Sequence, residues 1–145
     1  MKKYLIIALV ILLITGCKEK MNIKGTDMSE KVLITINNEK YELKLENNDT
    51  SEAFIKLLPK ELKMNELNGN EKYAYLDEKL PVNEYSPKTI EKGDVMLYQN
   101  NCLVIFYKSF NTSYKYSKIG HIDNLIDLDK NNIIVKIEKD DATIK

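Results

Sequence analysis

Eight short segments of alternating or continuous apolar residues, each bounded by turn-forming residues, restrict the fold of this 145-residue chain more than any other feature. Short runs rich in β-branched and aromatic residues, broken by asparagine, glycine and proline, are typical of β-strands. The predicted strands span residues 31–37, 40–46, 61–67, 72–76, 94–98, 102–107, 114–122 and 132–138. Many short strands joined by small turns predict an all-β domain, either a sandwich or a small closed barrel.

Two short helices are predicted beside these strands. Asp49 and Glu52 resemble a capping box, with aspartate in place of serine or threonine, and the apolar residues that follow share one helical face. Pro59 is expected to end this helix. Residues 124–129 predict one further helical turn. We expect the apolar side of the first helix to close one end of the barrel or sheet.

The aromatic stretch at residues 98–122 is the strongest candidate for a binding site. It consists of an apolar run, a polar loop flanked by aromatic residues (108–114) and a return strand. Tyrosine side chains supply flat contact surfaces with a polar end. The alternative is that most of these tyrosines belong to the core or the barrel wall. The predicted groove consists of Tyr73, Tyr75, Ser109, Phe110, Thr112, Ser113, Tyr114 and Tyr116.

The N-terminal residues predict an export signal. Lys2 and Lys3 precede an apolar run of ten residues, Leu5–Ile14, about half the ~20 residues that a membrane-spanning helix needs. Residues 14–17, Ile-Thr-Gly-Cys, resemble the lipobox of bacterial lipoproteins. The alternatives are an ordinary signal peptide or a short anchor helix.

The lipobox resemblance implies that the leader is removed and that Cys17 carries a diacylglyceryl group, which would make the membrane a partner of the protein. Two acyl chains suffice for stable anchoring. The expected organisation is a signal peptide at 1–16, a lipidated cysteine with a flexible tether at 17–30, a barrel at 31–139 and a frayed tail at 140–145. We therefore expect the protein to be lipid-anchored at the cell membrane, on the exported side of a bacterial envelope.

Composition argues against several classes of function. Net charge is zero and basic clusters are absent, which argues against nucleic-acid binding. With Cys17 lipidated, Cys102 has no partner for a disulfide, and its apolar surroundings predict a buried, inert thiol.

No catalytic residue, metal site or cofactor is assigned from the sequence. Ser109 and Ser113 accompany the single histidine, His121, but no nucleophile motif surrounds them. One histidine and one free cysteine are too few for a closed zinc site. Residues 127–138 match several ligand positions of a calcium-binding EF-hand loop. Because the flanking helices are missing and 133–138 alternates like a strand, a turn into the last strand is the favoured interpretation.

Three motifs resemble one known family. They are Glu66-Leu-Asn-Gly-Asn-Glu-Lys-Tyr73, Gly93-Asp94-Val-Met-Leu-Tyr98 and Phe106-Tyr-Lys-Ser-Phe-Asn-Thr-Ser-Tyr114, the last followed by Gly120-His-Ile-Asp123. Together they look like the bacterial cyclophilin-like domain family, whose function is unassigned, over residues 32–138. The resemblance implies a closed barrel of about eight strands with two short capping helices.

The absence of arginine separates this chain from catalytic cyclophilins. Those enzymes accelerate prolyl isomerisation with an arginine that donates to the substrate around its proline. This chain contains no arginine, and lysine lacks the planar fork of donors. The resemblance therefore favours a non-catalytic module that binds an unidentified peptide or small molecule. The alternatives are a prolyl isomerase acting on exported proteins and a structural envelope protein without a ligand.

Overall fold

The computed structural model describes residues 30–141. The predicted signal peptide, Cys17, nearly all of the predicted tether and the last four residues lie outside the described residues. The described part contains ten strands and one helix: β1 Val32–Ile36, β2 Glu39–Leu45, α1 Asp49–Ile55, β3 Lys60–Leu67, β4 Glu71–Tyr75, β5 Thr89–Ile90, β6 Asp94–Tyr98, β7 Cys102–Phe106, β8 Phe110–Asn111, β9 Ser117–Ile122 and β10 Ile133–Lys139.

Eight of these strands close into an antiparallel barrel in the order β1-β10-β3-β4-β7-β6-β9-β2. They correspond one for one to the eight segments predicted from the sequence, so the closed barrel is confirmed. The turn between β1 and β2 places Asn37 and Asn38 at φ 50° and 67°, the left-handed conformation that a tight hairpin requires. The remaining strands, β5 and β8, pair with each other outside the barrel.

In the barrel wall formed by β6 and β7, apolar side chains are buried on both the inner and the outer face. The barrel interior holds the main core, in which Val32, Ile34 and Ile36 alternate with more exposed neighbours. A second cluster lies on the outer face of β6 and β7 and includes Met96 and Val104. Because both of its faces are covered, β7 is buried at every position. This explains why its sequence is a continuous apolar run and does not alternate.

Helix α1 forms as predicted, but its N-cap lies one residue earlier than predicted. Asn48, not Asp49, is the N-cap, and its Oδ1 accepts a hydrogen bond from the Ser51 backbone N–H at 2.9 Å. Phe54 is fully buried in the main core. Within residues 30–141, no helix is long and apolar enough to cross a lipid bilayer.

The second predicted helix, at 124–129, is wrong. The segment is a turn at Asp123 and Asn124 followed by chain without regular secondary structure. Asn124 has φ +55°, which an α-helix does not accommodate. Leu125 and Leu128 are both buried in the main core, so the apolar pattern of this segment reflects two anchoring side chains.

Candidate functional site

The candidate site is built on the outer face of β4, β7 and β6. In the strand register, Glu71 lies opposite Phe106 and Tyr73 lies opposite Val104. Side chains two residues apart on a strand share a face, so Glu71, Tyr73 and Tyr75 point the same way. An Asn68-Gly69 turn with positive φ at both residues (56° and 69°) leads into this strand.

Two loop segments cover part of this face and form its walls. The backbones of Tyr85 and Tyr116 hydrogen-bond to each other in both directions, at 2.9 and 3.1 Å, and β5 pairs with β8. The rings of Phe110 and Tyr116 rest on Phe106, with centroid distances of 5.6 and 5.5 Å. The long loop before β6 and the polar aromatic loop after β7 therefore support one another over the barrel wall.

Between these walls and the sheet lies a pocket of about 460 Å³, within the range of small-molecule sites in proteins. Tyr73 and Tyr75 meet edge to face at a centroid distance of 6.1 Å, as do Tyr98 and Tyr114 at 6.0 Å. The pocket is lined by Leu67, Asn68, Asn70, Glu71, Tyr73, Tyr75, Tyr98, Cys102, Val104, Phe110, Asn111, Thr112, Ser113, Tyr114 and Tyr116.

Seven of the eight residues of the predicted groove line this pocket; the exception is Ser109. The Ser109 hydroxyl instead accepts a hydrogen bond from the Lys92 backbone N–H at 2.8 Å and so fixes the base of the loop. Asn70 and Glu71 line the pocket but were not predicted, and Tyr98 lines it too, although only the wider stretch 98–122 and not the predicted groove included it. The alternation of β4 contained the signal for Glu71, because it shares a face with the two predicted tyrosines.

Among residues 30–141, Glu71 is the only acidic side chain that lines the pocket. It is 9% exposed, and no hydrogen bond or ion pair to its carboxylate is present within residues 30–141. Burial, reinforced by the nearby Glu66 carboxylate, raises the pKa of Glu71 to about 7. Next to it, Asn70 Oδ1 is a buried acceptor without a hydrogen-bond partner in the same part of the chain.

Cys102 is buried, as predicted. Burial raises the pKa of its thiol to about 11, so the thiol remains protonated at neutral pH and is a poor nucleophile. Burial also raises the pKa of Tyr116 to about 12. These two pocket residues therefore present neutral groups to a ligand.

The serine and histidine candidates do not form a catalytic triad. His121 Nδ1 lies 3.0 Å from Asp94 Oδ1, and its Nε2 lies 3.7 Å from Asp123 Oδ1. Within residues 30–141, neither Ser109 nor Ser113 hydrogen-bonds to the imidazole. The histidine belongs to a cluster of charged side chains at the Gly93–Asp94 corner, together with Lys118.

The loop that resembles a calcium-binding sequence holds a lysine ammonium. Lys72 Nζ donates hydrogen bonds to the backbone oxygens of Asp129 and Asn131, at 2.5 and 2.6 Å. The Asp129 carboxylate accepts hydrogen bonds from Asn131 at 3.0 Å. Among the described residues, no group of three or more histidine, cysteine, aspartate or glutamate side chains is placed to hold a metal ion.

The closed antiparallel barrel of eight strands, with one short helix and a pocket on its outer wall, is a cyclophilin-like fold. The model of the Cyclophilin-like family matches residues 34–145, and the chain therefore belongs to that family. No curated protein and no solved structure shows a significant match.

Proposed function

We propose that the protein is a membrane-tethered binding module whose outer pocket takes a peptide or a small molecule at the cell envelope. The observation that carries this proposal is the aromatic pocket of about 460 Å³ on the barrel wall. The tether rests on the lipobox-like residues 14–17 and on the acylation of Cys17 that they predict. Cleavage before Cys17 would leave the barrel attached to the membrane through the segment that precedes β1.

Exposed aromatic side chains at the rim support a binding role. Tyr75 and Tyr114 are 65% and 61% exposed, although each ring packs edge to face against a neighbouring tyrosine. Such rings contribute contact area at low conformational cost, because their neighbours already restrict them. A structural protein without a ligand has no need to keep these surfaces uncovered.

Tyr114→Ala is expected to weaken ligand binding roughly fivefold while leaving the fold intact, because one aromatic contact contributes about 1 kcal/mol. The measurement is a titration of the ¹⁵N-labelled full chain, in a nonionic detergent, with 4-methylphenol and with a blocked Ala-Ala-Pro-Phe tetrapeptide. We expect amide shifts to concentrate at 70–75, 98–104 and 110–116.

Ile134→Ala is the matched control for this titration. Ile134 is 62% exposed and lies on β10, which contributes no residue to the pocket, so its removal should leave both affinities unchanged. Pocket amides that stay unshifted with both probes at 10-millimolar concentration would contradict the binding function.

Prolyl isomerisation is the second candidate, suggested by the resemblance of the barrel to that of catalytic cyclophilins. Catalytic cyclophilins direct an arginine at the substrate around its proline, but the chain lacks arginine and, among residues 30–141, no lysine lines the pocket in its place. We expect the tetrapeptide to isomerise at its uncatalysed rate in the presence of the protein. The measurement is NMR exchange spectroscopy of the cis and trans proline signals of the tetrapeptide. An isomerisation rate that rises in proportion to protein concentration would restore the enzyme hypothesis.

A further inference from the structure

Building on the proposed binding function, we propose that the pocket selects an organic ammonium group with N–H donors. The group would be held by the Glu71 carboxylate and Asn70 Oδ1 and surrounded by tyrosine rings. Neither the sequence motifs nor the family membership indicates this ligand class. It follows from the polar groups that the fold leaves unpaired.

Glu71 differs from the other buried polar side chains in having no partner. Buried polar groups in proteins are nearly always hydrogen-bonded. Lys72 and Asp94 are ion-paired. The remaining three are hydrogen-bonded: Thr50 to the Pro81 carbonyl, Ser51 to the Ile119 carbonyl and Ser117 to the Asn83 N–H. Within residues 30–141, Asn70 Oδ1 is a fully buried acceptor without a partner. The Glu71 carboxylate, which also has no hydrogen bond or ion pair there, follows it in sequence and lines the same pocket.

The chemistry of the two unpaired groups defines the missing partner. A carboxylate and an amide oxygen both accept hydrogen bonds, so the group that satisfies them must donate. Glu71, with Glu66 behind it, would repel an anionic ligand. In the part of the chain that the structure describes, no lysine lines the pocket to neutralise this charge. A cation that carries N–H donors therefore matches the pocket in charge and in hydrogen bonding.

The tyrosine walls add a second favourable interaction for a cation. Tyr73, Tyr98, Tyr114 and Tyr116 all line the pocket. The faces of aromatic rings attract ammonium groups, most strongly where water is excluded. The walls would thus stabilise the same charge that the carboxylate attracts.

The barrel interior already contains an ammonium site of the same composition. Lys72 Nζ donates to Glu66 Oε2 at 2.6 Å and to two backbone carbonyl oxygens, and it lies 5.1 Å from the centroid of the Tyr107 ring. That site combines one carboxylate, neutral oxygen acceptors and a tyrosine ring. The outer pocket presents these three elements again, but without a lysine to occupy them.

The test compares n-butylamine with 1-butanol, which has a similar shape and no charge. Both are titrated into the ¹⁵N-labelled full chain at pH 8 and followed through the pocket amides. We expect the amine to bind at least tenfold more tightly than the alcohol, because a hydrogen bond to a charged group discriminates by about that factor. Glu71→Gln should bring this ratio close to one, and Asn70→Ala should lower amine affinity at least threefold.

Glu42→Gln is the matched control, because it removes the same charge from an exposed position on β2 and should leave the ratio unchanged. Tetramethylammonium, which has no N–H donor, should bind at least tenfold more weakly than butylamine. A blocked Gly-Lys-Gly tripeptide separates the two sources of an ammonium group. Binding at least as tight as that of butylamine identifies a lysine side chain, and exclusion of the tripeptide identifies a free amine; both results support ammonium selection.

Equal affinity for amine and alcohol, or unchanged amine affinity in Glu71→Gln, would overturn ammonium selection. Tetramethylammonium binding as tightly as butylamine would overturn the requirement for N–H donors. If 4-methylphenol still shifts the pocket amides in these cases, the binding function stands and only the ligand class is wrong. If no probe shifts them, both proposals fail.

Discussion

Replacing Lys72 with methionine is expected to lower the free energy of unfolding by about 3–5 kcal/mol, the usual cost of removing one partner from a buried ion pair. The Lys72 side chain is fully buried. Its three ammonium donors are all used, by Glu66 and by the backbone oxygens of Asp129 and Asn131. Methionine fills a similar volume, but it removes the ammonium donor from the Glu66 carboxylate and from the two backbone carbonyl groups.

Glu66 shows why the loss extends beyond one contact. Burial acts to raise the pKa of this carboxyl, but hydrogen bonds from Lys72, Tyr107 and the Gly69 N–H outweigh burial and hold its pKa below the usual value. In Lys72→Met, the carboxylate keeps the tyrosine hydroxyl at 2.9–3.0 Å and the backbone N–H at 2.6 Å but loses its positive neighbour. The loop at 129–131 loses its anchor to β4 in the same step.

Urea unfolding at pH 7, followed by circular dichroism, measures this effect. The double variant Lys72→Met, Glu66→Gln removes both charges and should recover at least 1 kcal/mol, since contacting residues in one network couple by that order. Lys136→Met is the control: its ion pair with Glu138 is largely exposed, so a change within about 1 kcal/mol is expected. A loss below 1 kcal/mol in Lys72→Met would show that the buried network contributes little to stability.

The sequence predicted the eight strands because local patterning determines them. Each of the eight strands has its own run of alternating or apolar residues, and each hairpin has its own turn residues, so the elements could be recognised one at a time. The order of the strands in the barrel depends on contacts between distant segments, such as β1 with β10. Residue patterns left a sandwich and a barrel open, the family resemblance implied the closed barrel, and the strand order was not predicted.

The polar groups of β4 were beyond the reach of sequence patterns for a physical reason. Alternation puts Lys72 and Ala74 on one face and Glu71, Tyr73 and Tyr75 on the other, but it does not reveal that both Lys72 and Glu71 are buried. The outer face is covered by the 110–116 loop, and the inner lysine is held by the 129–131 loop. Burial and pairing of these charges therefore follow from tertiary contacts.

Glu71→Gln is expected to stabilise the protein above pH 7 by on the order of 1–3 kcal/mol, since solvent in the open pocket screens part of the effect, and to have little effect near pH 4. Burial raises the pKa of Glu71 from 4.5 to about 7, and each pKa unit corresponds to about 1.4 kcal/mol. Between these values the folded state binds more protons than the unfolded state. By linkage, the wild type loses stability as pH rises through this window, with the full loss present above pH 7. Glutamine carries no charge, so the variant escapes this loss.

The other titratable groups that face Glu71 do not ionise in the same window. The pKa of Glu66 on β3 is lowered, because its hydrogen bonds outweigh the effect of burial. On and after β7, the pKa of Cys102 is about 11 and that of Tyr107 about 12, and Tyr116 before β9 also has a pKa of about 12. Glu66 therefore stays ionised and the other three stay neutral between pH 5 and 8. Titratable groups that wild type and Glu71→Gln share contribute equally to both free energies of unfolding, so they cancel in the difference.

Urea unfolding of wild type and Glu71→Gln at pH 5, 6, 7 and 8 gives the difference directly, with Glu42→Gln as the control for loss of an exposed charge. The stability difference should grow with pH for Glu71→Gln and stay flat for Glu42→Gln. A difference independent of pH would mean that Glu71 already has a partner or is well hydrated, and it would also remove the basis for an ammonium ligand. A growing difference would show that the empty pocket destabilises the protein at neutral pH. Unpaired buried charge of this kind is typical of functional sites, since the partner that satisfies it arrives with the ligand.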